Sequence, residues 1–235
     1  MIKVLVHEQN AVMGRTNRIL SKIVDYVAIT FPNTTFAPSN SKYTGIPVRR
    51  IMKLKRIKSN KKRIFVVGGS QGANIFSVLI PQAFSFFNSQ LKNKIKVVQQ
   101  SRPEDIDKIY KSLKNLGLDF EVKDFYHNIY EQYNNADLIV TRCGASTLAE
   151  IELFRKKSIL FPLPSAMNNH QLFNAREFKK SNDCIIVDET NLDAQLLSQD
   201  IKKLLFINRK GLNMYNKKTQ NHKLSLSNYI KKIVD

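Results

Sequence analysis

The 235-residue chain is 43% hydrophobic and 9% aromatic, which excludes a mostly disordered polymer and is enough for one large core plus part of a second. No run reaches the ~18 uninterrupted apolar residues that a membrane span needs, and the apolar start at Met1–Val6 meets His7-Glu8-Gln9-Asn10 too early for a secretory signal. Lys and Arg outnumber Asp and Glu by 38 to 19, a net charge of +19, and such a field attracts anionic membrane surfaces or phosphorylated substrates.

In chain order, Ile2–Val6 reads as a strand, Thr16–Val24 as a helix and Tyr26–Ile29 as a strand. Two strands and a helix are too small to fold alone, so residues 1–35 are expected to be a remnant of a larger domain. A Pro-, Asn-, Ser- and Thr-rich loop from Phe31 to Pro47 leads into the basic run Arg49–Arg63, which holds no acid; residues 36–62 are expected to be a linker and basic segment.

From residue 63 to 208, short apolar runs alternate with amphipathic ones, the pattern of a parallel α/β sheet. Expected strands are Arg63–Val67, Lys94–Gln99, Phe120–Lys123, Ala136–Val140, Ser158–Phe161 and Asp183–Val187. Expected helices are Ala73–Asn88, Pro103–Leu116, Thr147–Phe154, Asn169–Lys180 and Leu192–Phe206. Right-handed crossovers would put the strand ends along one edge, where such sheets bind ligands. Residues 209–235 are expected to form C-terminal helices within a second basic region, Lys202–Lys232.

Three turns on that edge carry chemistry. In Ile64-Phe65-Val66-Val67-Gly68-Gly69-Ser70-Gln71-Gly72-Ala73 a strand enters a glycine-rich turn and then a helix. Glycine allows close approach of an anion, and a helix start offers free N–H groups; the alternative is a tight turn that needs glycine for geometry alone. In Thr141-Arg142-Cys143-Gly144-Ala145-Ser146-Thr147-Leu148-Ala149-Glu150, Glu150 suits a ribose diol because a carboxylate accepts two hydrogen bonds. Thr147 and Glu150 also have capping-box spacing, so helix capping stays open. After Pro162-Leu163-Pro164, the run Asn168-Asn169-His170-Gln171 with Asn174-Ala175 places amides at a helix start, Gln171 and Asn174 on one face. Cys143 and Cys184 form no CxxC pair and no cluster with the histidines, which points to a reduced cytoplasmic protein without a metal site. The basic runs carry no nucleic-acid recognition motif and no interleaved aromatics, so nucleic acid is not an expected partner.

Taken in order, these segments resemble the MurG family of bacterial UDP-GlcNAc transferases. The match runs through His7-Glu8-Gln9-Asn10 with Gly14 and Asn17, Thr44-Gly45-Ile46-Pro47-Val48-Arg49, Gly68 to Ala73, Arg142 to Glu150, and His170-Gln171 with Asn174-Ala175. The resemblance implies a GT-B fold: one complete Rossmann-like α/β parallel-sheet domain here, plus a remnant of a second. It also implies inverting transfer of GlcNAc from UDP-GlcNAc to undecaprenyl-pyrophosphoryl-MurNAc-pentapeptide in peptidoglycan synthesis, with no cofactor or metal. The location would be the cytoplasmic face of the inner membrane, as a peripheral protein on an anionic membrane surface.

Carried over by position, Arg49 would lie by the nucleotide, Ser70 and Gln71 at the pyrophosphate, and Tyr126 at the uracil through its backbone. Ala145, Ser146, Thr147, Leu148 and Ala149 would line phosphate and sugar, Glu150 would take the ribose, Gln171 and Asn174 the GlcNAc hydroxyls, and Asn10 would reach the sugar from the other unit. The chain departs from the family at Ile46, usually Asn; at Cys143, often Ser; and at Phe125-Tyr126-His127-Asn128, more usually an Ile-Asp pairing. The family's opening Gly-Gly-Thr-Gly-Gly-His loop has no counterpart here, so no catalytic residue is assigned. The resemblance implies a carboxyl-terminal portion that needs a separately encoded or longer amino-terminal domain. The alternative is a non-catalytic UDP-GlcNAc-binding half that works with a membrane partner subunit.

Overall fold

Two parallel sheets organise the chain, seen in a computed structural model that describes residues 2–49, 54–69, 73–206 and 225–234. The first contains β1 (Leu5–Glu8), β2 (Tyr26–Ile29) and β3 (Lys42–Tyr43), in that spatial order, with α1 (Arg15–Leu20) between β1 and β2. β1 forms three residues later than the apolar run suggests. The Val4 N–H is taken by the Asp25 carboxylate at 2.8 Å, and pairing starts at Leu5 opposite Tyr26. His7 and Glu8 can end the strand because both polar side chains find partners inside the fold. β3 is a further departure: the expected loop contains a short strand, with Lys42 paired to Ala28.

The second sheet contains β4 (Lys62–Val67), β5 (Ile95–Gln100), β6 (Asp119–Lys123), β7 (Leu138–Arg142), β8 (Lys157–Phe161) and β9 (Cys184–Ile186). Its order is β6-β5-β4-β7-β8-β9, all parallel. The helices are α2 (Asn74–Ser85), α3 (Ser89–Lys92), α4 (Ile106–Asn115), α5 (Ile129–Asn135), α6 (Ala145–Phe154), α7 (His170–Lys179) and α8 (Ala194–Phe206). The expected single helix 73–88 ends at Ser85, because Asn88 starts a new one, its side-chain oxygen accepting from the Leu91 N–H at 2.9 Å.

Helices cover both faces of the sheet, which is why its strands read as nearly continuous apolar runs. Ile64, Val66, Val97, Val140 and Ile159 face Phe76, Ile80 and Phe84 of α2 and Ile201 of α8. Phe65, Val98, Ile139 and Leu160 face Leu148 and Ile151 of α6 and Phe178 of α7.

The pole at the strand starts gathers helix ends and lysines. Lys202 Nζ donates to Phe86 O at the end of α2, Lys157 Nζ to Leu204 O in the last turn of α8, and Lys156 Nζ to Asn134 O and Ala136 O at the end of α5. Cations here offset the partial negative charge of open helix carbonyls. Beside them a cleft of about 750 Å³ is lined by Arg56, Lys61, Lys62 and Lys96 together with Asp119 and Asp137. Burial pushes the Lys156 pKa down to about 8, helped by Arg56 and opposed by Asp137. Much of the basic segment's charge therefore lies at the pole opposite the turn motifs. Finally, α9 (Leu226–Val234) crosses back to the first sheet, where Tyr229 and Ile233 pack on Ala28.

Candidate functional site

In the order β6-β5-β4-β7-β8-β9 the chain reverses direction between β4 and β7, and a crevice outside the strand ends at such a reversal is the usual ligand site of doubly wound sheets. The glycine-rich turn leaves β4 and the Cys143-Gly144 turn leaves β7, so two of the three motifs flank the reversal. The third leaves β8, the next strand along.

Both helices at the reversal begin without a side-chain cap. α2 starts after Ala73 and α6 after Gly144, and neither first turn holds an acidic residue. Among the described residues no side chain caps either start, which leaves N–H groups and positive dipole ends open at this edge of the sheet. Gly69 at φ +82° lies in the left-handed region, and nothing within 4 Å would obstruct a Cβ there, so backbone conformation alone demands glycine. Ser70 and Gln71 lie outside the described residues.

The capping-box reading of Thr147 and Glu150 is overturned. α6 begins at Ala145, which puts Thr147 inside the first turn, and Glu150 turns instead to an aromatic pair. Tyr130 Oη donates to Glu150 Oε1 at 3.2 Å, the Tyr133 hydroxyl lies close enough to help the ionised form, and Arg49 adds a nearby positive charge. Burial nevertheless dominates and raises the Glu150 pKa above its ordinary value. Arg49 is exposed, and its backbone is within hydrogen-bonding reach of the Tyr130 phenol. Arg49 and Glu150, far apart in sequence, therefore meet at one tyrosine.

The third turn is reached through Asn168 and Asn169, consecutive residues at φ 54° and 52°. Asn tolerates this left-handed conformation because its short side chain can bond locally. α7 then presents Gln171 and Asn174 inward. Gln171 Oε1 accepts from the Cys143 N–H at 3.0 Å and the Leu163 N–H at 3.1 Å, tying the β7 and β8 turns together. Among the described residues its amide nitrogen has no partner and remains a donor. Asn174 is fully buried: Oδ1 accepts from Ala11 N at 2.7 Å, while Nδ2 donates to Asn10 Oδ1 at 3.1 Å and Cys143 O at 3.2 Å. Its amide thus clamps the loop after β1 to the turn after β7. His170 is half-buried and, among the described residues, bonds only locally, to Met167 O at 2.9 Å.

The remaining positions divide by orientation. Ala145 and Leu148 are buried, Leu148 within the core under α6, so these two can meet a ligand only through backbone; Ser146 is exposed, and Thr147 and Ala149 are half-buried. Tyr126 is buried with its ring edge-on to Phe65 at 5.7 Å, which likewise leaves backbone for any contact. Asn10 is half-buried beside Glu8.

Three residues gain roles that no local pattern announced. Glu8, 3% exposed, accepts from Asn10 N, Gly14 N and Asn17 Nδ2 at 2.8–2.9 Å, which explains the spacing of His7-Glu8-Gln9-Asn10, Gly14 and Asn17. Arg142, at the end of β7, makes a two-pronged pair with Glu189 and stacks over Phe76. Tyr130 holds Glu150. The partners in these last two pairs are brought together by the fold across 47 and 20 residues.

A doubly wound sheet beside a second parallel sheet is a Rossmann-like arrangement, and its likeness to known proteins makes it one of the glycosyltransferases of the GT-B type. Residues 63–233 match the glycosyltransferase family 28 C-terminal domain. The chain is 32% identical over 251 residues to the UDP-N-acetylglucosamine–N-acetylmuramyl-(pentapeptide) pyrophosphoryl-undecaprenol N-acetylglucosamine transferase of Rickettsia bellii, across 99% of this chain and 70% of that protein. The same-named protein of Zymomonas mobilis is 34% identical over 214 residues, 86% of this chain and 55% of its own length. The crystal structure of Acinetobacter baumannii MurG superposes with a TM-score of 0.79 at 27% identity, covering 99% of this chain and 67% of that one. A kitacinnamycin glycotransferase shares the fold at 14% identity, with a TM-score of 0.68 over 90% of this chain and 54% of its own. The chain belongs to glycosyltransferase family 28, in its MurG branch, and spans between about half and 70% of the length of these relatives.

Proposed function

We propose that this chain supplies the UDP-GlcNAc site of a transferase that moves GlcNAc to undecaprenyl-pyrophosphoryl-MurNAc-pentapeptide at an anionic membrane surface. The observation that carries the reading is the pair of uncapped helix starts, α2 and α6, on either side of the sheet reversal. Their N–H groups and dipole ends would bind the diphosphate and stabilise the charge that grows on UDP as the glycosidic bond breaks. The family likeness implies that the transfer is a direct displacement with inversion. Glu150 would accept from the ribose hydroxyls beside Arg49, and the free Gln171 amide donors would reach the sugar. Asn174 and Asn10 would fix the loop after β1 against the β7 turn, so that the second unit closes over the donor. The family likeness supports a lipid-linked acceptor and a peripheral position on the inner membrane. No helix among the described residues is long and apolar enough to cross a membrane.

Equilibrium binding of UDP-GlcNAc to the wild-type chain, Ser70→Ala and Glu150→Ala tests this. Each substitution removes a hydrogen-bonding group and should weaken binding by roughly tenfold or more. Wild-type binding no tighter than that of either variant sinks the proposal.

A further inference from the structure

Tyr130 belongs to none of the turn motifs, yet it bonds Glu150 of α6 and lies within reach of the Arg49 backbone. It lies in the first turn of α5, whose Gln132 and Asn135 accept from Arg63 and from the Ile57 N–H. Its phenol donates to Glu150 Oε1 at 3.2 Å and has the Arg49 backbone within hydrogen-bonding reach. Its ring leans on Tyr133 at 6.4 Å and Phe154 at 5.7 Å, and Phe154 closes the same helix that carries Glu150. The hydroxyl is therefore aimed by an aromatic cluster that is itself packed into the core. One carboxylate oxygen is tethered by this bond, which fixes the rotation of the carboxylate about its last torsion.

We infer that Tyr130 is a positioning residue that sets the Glu150 carboxylate and the Arg49 segment for recognition of a ribose diol, and so makes the site selective for ribonucleotide over deoxyribonucleotide donors. This rests on the reading of Glu150 as the ribose acceptor. A freely rotating carboxylate could still accept one hydrogen bond, but a diol needs both acceptor directions held in its plane. The tyrosine supplies that constraint without touching the ligand. The Arg49 backbone, within reach to donate to the same phenol oxygen, brings the segment at Arg49 close to α6, so nucleoside recognition and the position of that segment become linked.

The test is a double-mutant cycle, with Kd for UDP and for 2′-deoxy-UDP measured by calorimetry on the whole chain. The wild type should prefer UDP by roughly tenfold, the worth of a hydrogen bond to a charged acceptor. Tyr130→Phe should reduce that preference to about threefold or less, Glu150→Ala should abolish it, and Tyr130→Phe in the Glu150→Ala background should change nothing further. A purely structural tyrosine would weaken both nucleotides equally and add its effect to that of Glu150→Ala; either result overturns the positioning role while leaving the ribose reading intact. Equal binding of the two nucleotides by the wild type overturns the ribose reading, and the positioning role with it. Thermal unfolding identifies a variant that has lost its fold. In that case Tyr130→His, which keeps a ring and a donor, takes its place in the cycle, and unchanged selectivity there with a ring nitrogen unable to reach Glu150 also overturns the role.

Discussion

Two carboxylates show how the same group is put to different use by its surroundings. Glu8 is almost wholly buried but fully occupied, because backbone and amide donors around it replace the water it has lost. Glu150 is only half-buried; burial raises its pKa, while Tyr130, Tyr133 and Arg49 pull the other way. A raised pKa means that the folded chain holds this proton more firmly than the unfolded one. Its contribution to stability is therefore fully present below the ordinary value of 4.5 and is lost as pH rises through the folded pKa. Ligand affinity should run in the opposite sense, since only the ionised form accepts from a diol with both oxygens. Titrating UDP affinity upward from pH 4.5 should show binding strengthening through a step displaced above that value, and Glu150→Gln should flatten the step. A wild-type profile identical to that of Glu150→Gln would remove Glu150 from nucleotide recognition.

The helix starts bring stability and binding into competition. Gly144 occupies the N-cap position of α6 with φ −63° and ψ 138°, the conformation that a capping serine adopts. A Cβ added there meets only Thr147 Oγ1 at 3.7 Å, an ordinary contact. Gly144→Ser should therefore satisfy one of the open N–H groups and stabilise the fold by up to about 0.5 kcal/mol, since glycine is already a fair cap. It should also weaken UDP binding, because the hydroxyl occupies a donor that the diphosphate would use. Thermal unfolding with and without UDP measures both, and a variant more stable yet unchanged in affinity would show that α6 does not face the phosphates. Periodicity could locate α6, as it located β2 to the residue and β4, β5, β6 and β8 to within one, because buried strands between helices write themselves as local apolar runs. It placed β7 two residues early: the Ala136–Val140 run is apolar, but the strand continues through Thr141 to Arg142, whose charge is met by Glu189, a partner invisible to any local window. Capping-box spacing misled for the same reason, since Glu150 answers to Tyr130 rather than to its own helix start. The motif turns were legible because glycine and amides at strand ends are a local signature; the network that fixes them, from Asn174 to Ala11 and from Gln171 to Leu163, exists only once the fold has closed.

At the scale of the whole molecule, the ties between the two sheets set how independently they can open, and among the described residues they are few. The Asn174 amide reaches Ala11 and Asn10, Asn33 Nδ2 reaches Glu177 at 3.1 Å, and α9 lies across the first sheet. There Tyr229 meets Tyr26 edge-on at 6.2 Å, and Ile233 covers Ala28, which is otherwise the exposed back of a three-stranded sheet. A sheet this small has little core of its own: Met13, Val27 and Ile29 form its other face, while the six-stranded sheet is buried on both sides. Truncating Tyr229 and Ile233 to Ala should cost about 2 kcal/mol each, toward the low end for large-to-small changes because both sites border solvent and can relax. The loss should stay local, since local opening follows the contacts that each element owns. Hydrogen exchange on the double variant should speed up at Val27, Ala28 and Ile29 in β2 while leaving Phe65, Val98 and Ile139 protected as before. Acceleration of equal size in both sheets would mean that the Asn174 clamp welds them into one cooperative unit, and that closing over a donor cannot involve motion between them.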